Sequence, residues 1–246
     1  MKKTPVAVII PARYASTRFP GKPLALLAGK PMIQHVWEKA IASKADAVAV
    51  ATDDERIAAA VEKFGGKAIM TSPDHPSGTD RIAEAARAFD GVETVINIQG
   101  DEPMIPPSVI NDLIDAMANC DAEMGTVVVP VKRSEVENNP NLPKVTLTSD
   151  GYAIYFSRSM IPYLREGGAD AGVYLHWGIY AYRRSALERF VQLPPGLLEN
   201  CEKLEQLRAL ENGMRIKVVV SHLESVGVDT PEDLVLAEKR LQESAR

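Results

Sequence analysis

Three cations lie on one short loop near the amino terminus. Arg13, Arg18 and Lys22 follow the apolar run 6–10, which is typical of a strand buried on both faces of a sheet. Pro11 cannot donate to a sheet ladder, so we expect the strand to end there. Open α/β sheets bind ligands at the carboxyl ends of their strands, where cations and backbone amides suit a polyphosphate. A solvated basic turn is the alternative that composition alone leaves open.

An acidic turn follows another apolar run. The predicted strand Thr94–Ile98 leads into Gln99-Gly-Asp-Glu-Pro103, where Gly100 would permit the close approach of a ligand. Mg²⁺ binds through one or two carboxylates and completes its octahedron with phosphate oxygens and water, so either Asp101 or Glu102 could hold it. Two acids on a surface turn are the alternative.

Composition limits the classes of partner. The chain has 246 residues, 46% of them hydrophobic, and a net charge of −5, which gives no electrostatic case for nucleic-acid binding. No apolar run is long enough to span a bilayer. Cys120 and Cys201 lie far apart without metal-ligand spacing, as reduced thiols of a cytoplasmic protein would. We therefore expect a cytoplasmic protein without membrane or nucleic-acid partners.

Strand and helix patterns alternate along the chain. Helices are predicted over 31–43, 55–64, 106–119 and 197–213, and strands over 47–51, 67–70, 94–98, 124–131 and 215–220. This alternation predicts an α/β fold with a doubly wound, mostly parallel sheet. Residues 1–129 and 193–246 would form a nucleotide-binding core, and residues 130–192 a small mixed α+β insertion.

The predicted insertion carries a hairpin signal. The alternating runs 144–148 and 152–156 are separated by a turn that contains Asp150-Gly151. A third short strand is predicted over 178–182. Further along, Thr230 is expected to cap a C-terminal helix that starts at Pro231. We expect the insertion to bind a second substrate and to offer a candidate subunit contact.

The order of the motifs resembles that of the sugar cytidylyltransferases. The sequences of the motifs are most similar to those of the 3-deoxy-manno-octulosonate (Kdo) cytidylyltransferase family, also called CMP-Kdo synthetases, over nearly the whole chain. The matching motifs are Arg13 with Ser16-Thr-Arg18 and Pro20-Gly-Lys-Pro-Leu24, Ser77-Gly-Thr79, Gln99-Gly-Asp-Glu-Pro103, Phe156-Ser-Arg158, His176-x-Gly-x-Tyr180, Glu202-x-Leu-Glu-Gln-Leu-Arg208 and Val228-Asp-Thr-Pro231. The resemblance implies a nucleotide-diphospho-sugar-transferase-like fold and a homodimer.

The resemblance implies a CTP site on the first loop, on the polar segment after residue 76 and at a strand end. Its residues are Ala12, Arg13, Ser16, Arg18, Lys22, Ser77, Gly78, Thr79, Arg81 and Gln99. It also implies Mg²⁺ at Asp101 and Asp229, with Lys22 as a third catalytic residue. Without the resemblance, Thr79 would be an N-cap and Asp229 another capping acid.

The resemblance further implies an acid-sugar site. Its residues are Arg158, His176, Tyr180, Glu205 and Gln206. The planar guanidinium of Arg158 would suit the sugar carboxylate better than a lysine. On its own His176 would be a structural histidine, and Glu205 with Gln206 a solvated helix face. Trp177 and a short preceding loop depart from the family pattern, which leaves the identity of the sugar open.

The implied reaction is attack of the anomeric hydroxyl of Kdo on the α-phosphorus of CTP. It gives CMP-Kdo and pyrophosphate, for lipopolysaccharide biosynthesis. One alternative is a cytidylyltransferase for another acidic sugar, such as 8-amino-Kdo or a sialic acid. A second alternative is a non-catalytic, CTP-binding regulatory protein on the same scaffold, which would not need both aspartates.

Overall fold

A mixed sheet with helices on both faces makes up the fold of this computed structural model, which describes residues 4–15, 19–223 and 227–244. The strands are β1 Val6–Ala12, β2 Leu26–Leu27, β3 Lys30–Pro31, β4 Ala47–Thr52, β5 Ala68–Met70, β6 Thr94–Asn97, β7 Met124–Val131, β8 Lys144–Leu147, β9 Ala153–Ser157, β10 Val173–Arg183 and β11 Ile216–Val220. The helices are α1 Met32–Ile41, α2 Glu55–Lys63, α3 Gly78–Ala86, α4 Pro107–Ala118, α5 Arg133–Val136, α6 Arg184–Phe190, α7 Leu197–Glu202, α8 Leu207–Glu211 and α9 Pro231–Ser244, with a 3₁₀ turn at Lys22–Leu24.

The main sheet has nine strands, and its path runs β11-β7-β10-β6-β1-β4-β5. Strand β1 is parallel to β4 and β6, β4 is parallel to β5, and β7 is parallel to β11. Strand β10 is antiparallel to its neighbours β6, β7 and β8, and β8 forms a hairpin with β9. The predicted α/β fold with a mostly parallel sheet is confirmed.

The core lies on both faces of this sheet. Alternate residues of β1 point to opposite faces, and both Ile9 and Ile10 are fully buried. Apolar side chains of α1, α2 and α4 pack on one face, while α3, α6 and α8 pack on the other. The prediction that the first strand is buried on both faces is confirmed, and its carboxyl end delivers the basic loop.

Three local predictions were wrong. Strand β1 continues through Pro11 to Ala12, because its pairing with β6 already ends at Ile9 and proline is tolerated where one side of a strand is unpaired. The third strand of the insertion is longer than predicted, and β10 starts at Val173. The helix predicted over 197–213 is two helices, since Lys203 adopts a left-handed conformation with φ of 52° between them.

The predicted division into a core and an insertion stays a prediction. Strand β10 belongs to the stretch 130–192, yet it lies in the main sheet between β6 and β7. The hairpin of β8 and β9 forms as predicted, with Gly151 in its turn at φ of 78°. Within the described ranges, no helix has the length and apolar character needed to cross a membrane.

Candidate active site

Lys22 lies between two carboxylates. Its Nζ is 2.6 Å from Asp101 Oδ2 and 3.3 Å from Asp229 Oδ1, and its side chain is only 15% exposed. The three residues come from the 3₁₀ turn after β1, from the turn after β6 and from the segment before α9. The structure thus brings together the three residues predicted to be catalytic.

Backbone contacts fix the two aspartates next to each other. The Val228 N–H donates to the carbonyl of Asp101 at 2.9 Å, which holds the segment before α9 against the acidic turn. The Thr230 N–H donates to Asp233 Oδ2 at 2.9 Å, and the Asp233 N–H donates back to Thr230 Oγ1 at 3.3 Å. This reciprocal pair confirms Thr230 as a cap and fixes the residue before it.

A cavity of about 210 Å³ opens beside this cluster. Predicted CTP residues that line it are Ala12, Arg13, Lys22, Gly78 and Gln99, together with Asp101. A Cβ atom at Gly100 would lie 3.0 Å from the carbonyl oxygen of Pro11, so this glycine allows the acidic turn to approach β1 closely. Ser16 and Arg18 lie outside the described residues.

The segment at the start of α3 differs from the predicted capping pattern. Ser77, not Thr79, is the N-cap, because its Oγ accepts hydrogen bonds from the Thr79 and Asp80 N–H groups at 3.1 and 3.2 Å. The Thr79 hydroxyl is therefore released from capping, and it donates to Glu205 Oε2 at 2.7 Å. This bond joins a residue of the predicted CTP site to one of the predicted acid-sugar site.

Arg81 points into the protein interior. Its side chain is fully buried, Nη1 donates to Thr71 Oγ1 at 2.6 Å, and Nη2 lies 3.1 Å from Asp53 Oδ2. Burial lowers the pKa of Arg81, and the Asp53 carboxylate opposes that shift. The structure does not place Arg81 on the cavity wall, so its predicted contact with CTP stays a prediction.

His176 and Tyr180 lie on one face of β10. The His176 ring packs edge-on against Phe156 at 5.2 Å between centroids, and its Nε2 is 3.1 Å from Thr126 Oγ1. Burial lowers the pKa of His176 to about 3, so the imidazole is neutral at physiological pH. Burial also raises the pKa of Tyr180, which keeps its phenol protonated. Both side chains can therefore donate or accept hydrogen bonds without carrying charge.

Arg158 holds three backbone carbonyls. Nε donates to the carbonyl of Glu202 at 2.6 Å, Nη1 to that of Pro140 at 2.9 Å and Nη2 to that of Lys203 at 3.1 Å. A guanidinium has five N–H donors, so these bonds do not use all of its donor capacity. The role of Arg158 toward a sugar carboxylate stays a prediction.

Glu205 and Gln206 are not a solvated helix face. Gln206 is 4% exposed, and both residues lie in the connection between α7 and α8. Glu205 Oε1 and Gln206 Nε2 are buried, and neither has a hydrogen-bond partner within the part of the chain that the structure describes. Buried polar atoms are normally satisfied, so these two are candidates for hydrogen bonds to a ligand.

Sequence reasoning missed two buried charged contacts. Asp53 is the ion-pair partner of Arg81, and it lies directly before Asp54, the N-cap of α2. Lys144 is 1% exposed, although lysine is almost never fully buried. The only sequence signal for Lys144 was its place at the start of an alternating strand, which does not specify partners that lie elsewhere in the chain.

The pair of aspartates fits a divalent cation. Both carboxylates approach one ammonium group, so their oxygens already face a position that suits positive charge. Among the described residues, no group of three or more His, Cys, Asp or Glu side chains could hold a metal ion. Two carboxylates are what Mg²⁺ uses when substrate phosphates supply the remaining ligands.

Comparisons with known proteins identify the family. A family model described as cytidylyltransferase matches residues 7–216. The chain is 53% identical to a 3-deoxy-manno-octulosonate cytidylyltransferase of Thermodesulfovibrio yellowstonii, over 95% of this chain and 96% of the relative. It is 55% identical to the enzyme of that name from Syntrophobacter fumaroxidans, over 92% of each chain. The chain belongs to the Kdo cytidylyltransferase family.

Solved structures agree with that membership. A CMP:2-keto-3-deoxy-manno-octonic acid synthetase complexed with CTP superposes with a TM-score of 0.93 and is 42% identical, over 98% of this chain and 100% of the other. A 4-diphosphocytidyl-2C-methyl-D-erythritol synthase from Anaerococcus prevotii gives a TM-score of 0.64 at 16% identity, which is a likeness of fold alone. The predicted fold and family are confirmed.

Proposed function

We propose that this Kdo cytidylyltransferase family member transfers CMP from CTP to the anomeric hydroxyl of Kdo. A bond forms between the anomeric oxygen and the α-phosphorus, and the bond from that phosphorus to the bridging oxygen breaks. Pyrophosphate leaves with the electron pair, and the hydroxyl proton is lost. The names of relatives about 50% identical over most of the chain support this assignment.

The position of Lys22 between Asp101 and Asp229 carries the proposal. Two anionic substrates must meet, so catalysis of this reaction depends on positioning and on neutralisation of charge. Asp101 and Asp229 would hold Mg²⁺, which when bound neutralises charge at the α-phosphate and polarises the attacking hydroxyl. Lys22 and Arg13 would bind phosphate oxygens, and the walls of the adjoining cavity would hold the rest of the nucleotide.

On the acid-sugar side, we propose hydrogen bonds with neutral side chains and one carboxylate, together with one cation. Glu205 Oε1 and Gln206 Nε2 would contact sugar hydroxyls, and His176 and Tyr180 would bind without a change of charge. Arg158 would use its remaining N–H donors for the carboxylate. The Thr79–Glu205 hydrogen bond would couple the position of this group to that of the nucleotide.

Pyrophosphate release tests this function directly. The purified protein is mixed with CTP, Mg²⁺ and Kdo, and matched reactions replace CTP with UTP, replace Kdo with a sialic acid or 8-amino-Kdo, or add EDTA. We expect release only with CTP, Kdo and metal. Release with a different acid would move the assignment to that sugar. CTP binding without release for any acid would favour the regulatory alternative.

Asp101→Asn tests the role of the aspartates. The amide keeps the shape of the side chain but loses the charge that Mg²⁺ requires, so we expect turnover to fall by at least about 10²-fold. Circular dichroism should show an unchanged fold, because Asp101 is partly exposed. Asp115→Asn, at an exposed carboxylate of α4 that pairs with Lys44, is the matched control. An Asp101→Asn enzyme with normal activity and normal metal dependence would contradict the proposal.

We also propose that the protein is a cytoplasmic homodimer. The family resemblance supports the dimer, and light scattering of the purified protein tests it. Both cysteines, Cys120 and Cys201, are free thiols, which is consistent with a reducing compartment.

A further inference from the structure

Lys144 is a buried cation that binds backbone oxygens. It is 1% exposed, and its Nζ donates to the carbonyls of Asn139 at 3.0 Å, Leu142 at 2.8 Å and Arg158 at 2.7 Å. An ammonium has three N–H donors, so all of them are used. Burial is the first cause that lowers the pKa of Lys144, and the nearby Arg158 guanidinium adds to the shift. A charged group that is costly to bury is here satisfied entirely by carbonyls.

Arg158 binds the same loop from the other side. Its Nη1 donates to Pro140, which lies between the two loop carbonyls that Lys144 holds. The carboxylate of Glu202 accepts from the Ser157 hydroxyl at 2.6 Å and from the Arg158 N–H at 2.9 Å. Two cations and one carboxylate thus join the loop at 139–142, the end of β9 and the end of α7.

This network ends at the residues of the acid-sugar side. Arg158 holds the carbonyls of Glu202 and Lys203, and Lys203 is the left-handed residue where α7 stops. A lysine in that conformation is strained, so it needs its surroundings to hold it. Glu205 and Gln206 follow within three residues of Lys203. The backbone path through this turn therefore determines where their side chains point.

We propose that Lys144 is a positioning residue for the acid sugar, and that it acts by fixing Arg158 and the turn at Lys203 that orients Glu205 and Gln206. This inference rests on the proposed function and adds a residue that lies outside the substrate contacts. The nucleotide side meets this turn at the Thr79–Glu205 hydrogen bond. Its other contacts, those of Arg13 with His75 and of the Ser77 cap of α3, do not involve Lys144. Loss of Lys144 should therefore affect the two substrates unequally.

Lys144→Met separates the two substrates in steady-state kinetics. Methionine keeps most of the side-chain volume but leaves the carbonyls of Asn139, Leu142 and Arg158 without their charged donor. We expect the KM for Kdo to rise about tenfold, while the KM for CTP changes by less than about twofold. kcat at saturating Kdo should stay close to that of the wild type, because the reacting groups are untouched.

Lys217→Met is the matched control. Lys217 is also a strand lysine whose Nζ donates to a carbonyl, that of Asp150, but it lies on β11 and is only half-buried. We expect no change in either KM. If Lys144→Met does not fold, Glu202→Gln tests the same network at a less buried position and should give the same unequal change.

The wild-type enzyme distinguishes the two levels of the proposal. If the wild type shows no turnover with Kdo, the proposed function fails before any variant is compared. If it does turn over, equal changes in both KM values, or a loss of kcat alone in both Lys144→Met and Glu202→Gln, would overturn the positioning role.

Discussion

At the scale of single residues, Lys22 has two opposing effects on the site. Its ammonium group neutralises the repulsion between Asp101 and Asp229, which lets both carboxylates lie close together before any substrate binds. In the proposed function the same ammonium would compete with a divalent cation for those carboxylates. Lys22 would then leave at least one of them on binding of metal and triphosphate, and the phosphate oxygens are the partner it would take.

Lys22→Met should separate these two effects. Without the competing cation, we expect the protein to bind Mn²⁺ more tightly in the absence of CTP, which a titration followed by electron paramagnetic resonance measures. Turnover should nevertheless fall by about 10²-fold, because the charge that stabilises the triphosphate is lost. Lys30→Met, at an exposed lysine paired with Glu38, is the control. Weaker Mn²⁺ binding by a folded Lys22→Met variant would contradict this account.

At the scale of elements, α3 holds the loop that precedes it. The Glu84 carboxylate accepts a hydrogen bond from the Ser72 N–H at 3.0 Å and contacts the His75 ring. The carbonyl of His75 in turn accepts from Arg13 Nη2 at 2.6 Å. A side chain in the last turn of α3 thus fixes, through the loop, a cation that lines the candidate nucleotide cavity.

Glu84→Gln should weaken CTP binding without touching the site. We expect the KM for CTP to rise about fivefold, because Arg13 loses a fixed acceptor. The Ser72 N–H is the first cause that lowers the pKa of Glu84 below 4.5. The Glu84 carboxylate is therefore charged at neutral pH and accepts both contacts there. Its contribution to the stability of the loop is lost only as the pH falls below 4.5, through the lowered pKa of this group.

Two controls accompany the Glu84 measurement. Glu62→Gln changes an exposed glutamate of α2 and should leave the KM for CTP unchanged. The KM for Kdo should change less than the KM for CTP in Glu84→Gln, since the Glu84 carboxylate contacts Ser72 and His75 on the side of Arg13. An unchanged KM for CTP in a folded Glu84→Gln variant would show that the loop does not position Arg13.

Elements defined by local signals could be predicted from the sequence, and others could not. The apolar first strand and the hairpin with its Asp150-Gly151 turn depend on neighbouring residues, and both were predicted. The break at Lys203 was not, because its left-handed backbone is held by Arg158, which is distant in sequence. Helical periodicity alone continues across that break.

The candidate site divides in the same way. The acidic turn was predicted from residue type and position, whereas the choice of Asp101 and Asp229 depended on the family resemblance. Both aspartates contact Lys22, from which Asp101 is separated by 79 positions in the sequence and Asp229 by 207. No local pattern specifies contacts over such separations. The burial of Arg81 likewise depends on Asp53 and Thr71, which belong to other segments of the chain.

At the scale of the whole molecule, β10 joins the parts of the sheet that carry the proposed CTP and acid-sugar sites. Its first half lies between β7 and β8, and its second half lies between β7 and β6. His176 lies in the first half, where it packs against Phe156 of the hairpin and contacts Thr126 of β7. Protonation of this ring would place a charge among these strands. The free energy of unfolding of the whole protein should therefore depend on the protonation of His176.

The pH dependence of unfolding tests that statement. The pKa of His176 is lowered from 6.5 to about 3 in the folded protein, so between these values the unfolded chain binds a proton that the folded chain does not. Stability should therefore fall as the pH decreases below 6.5, by at most about 1.4 kcal/mol per pH unit from this group.

In urea unfolding at pH 7, 6 and 5, His176→Asn should be less stable than the wild type at pH 7, because packing is lost. The difference should shrink toward pH 5, because the variant lacks the group that destabilises the wild type as the pH falls. A His176→Asn difference that is constant across this range would mean that the ring is solvated enough to be protonated in the folded protein.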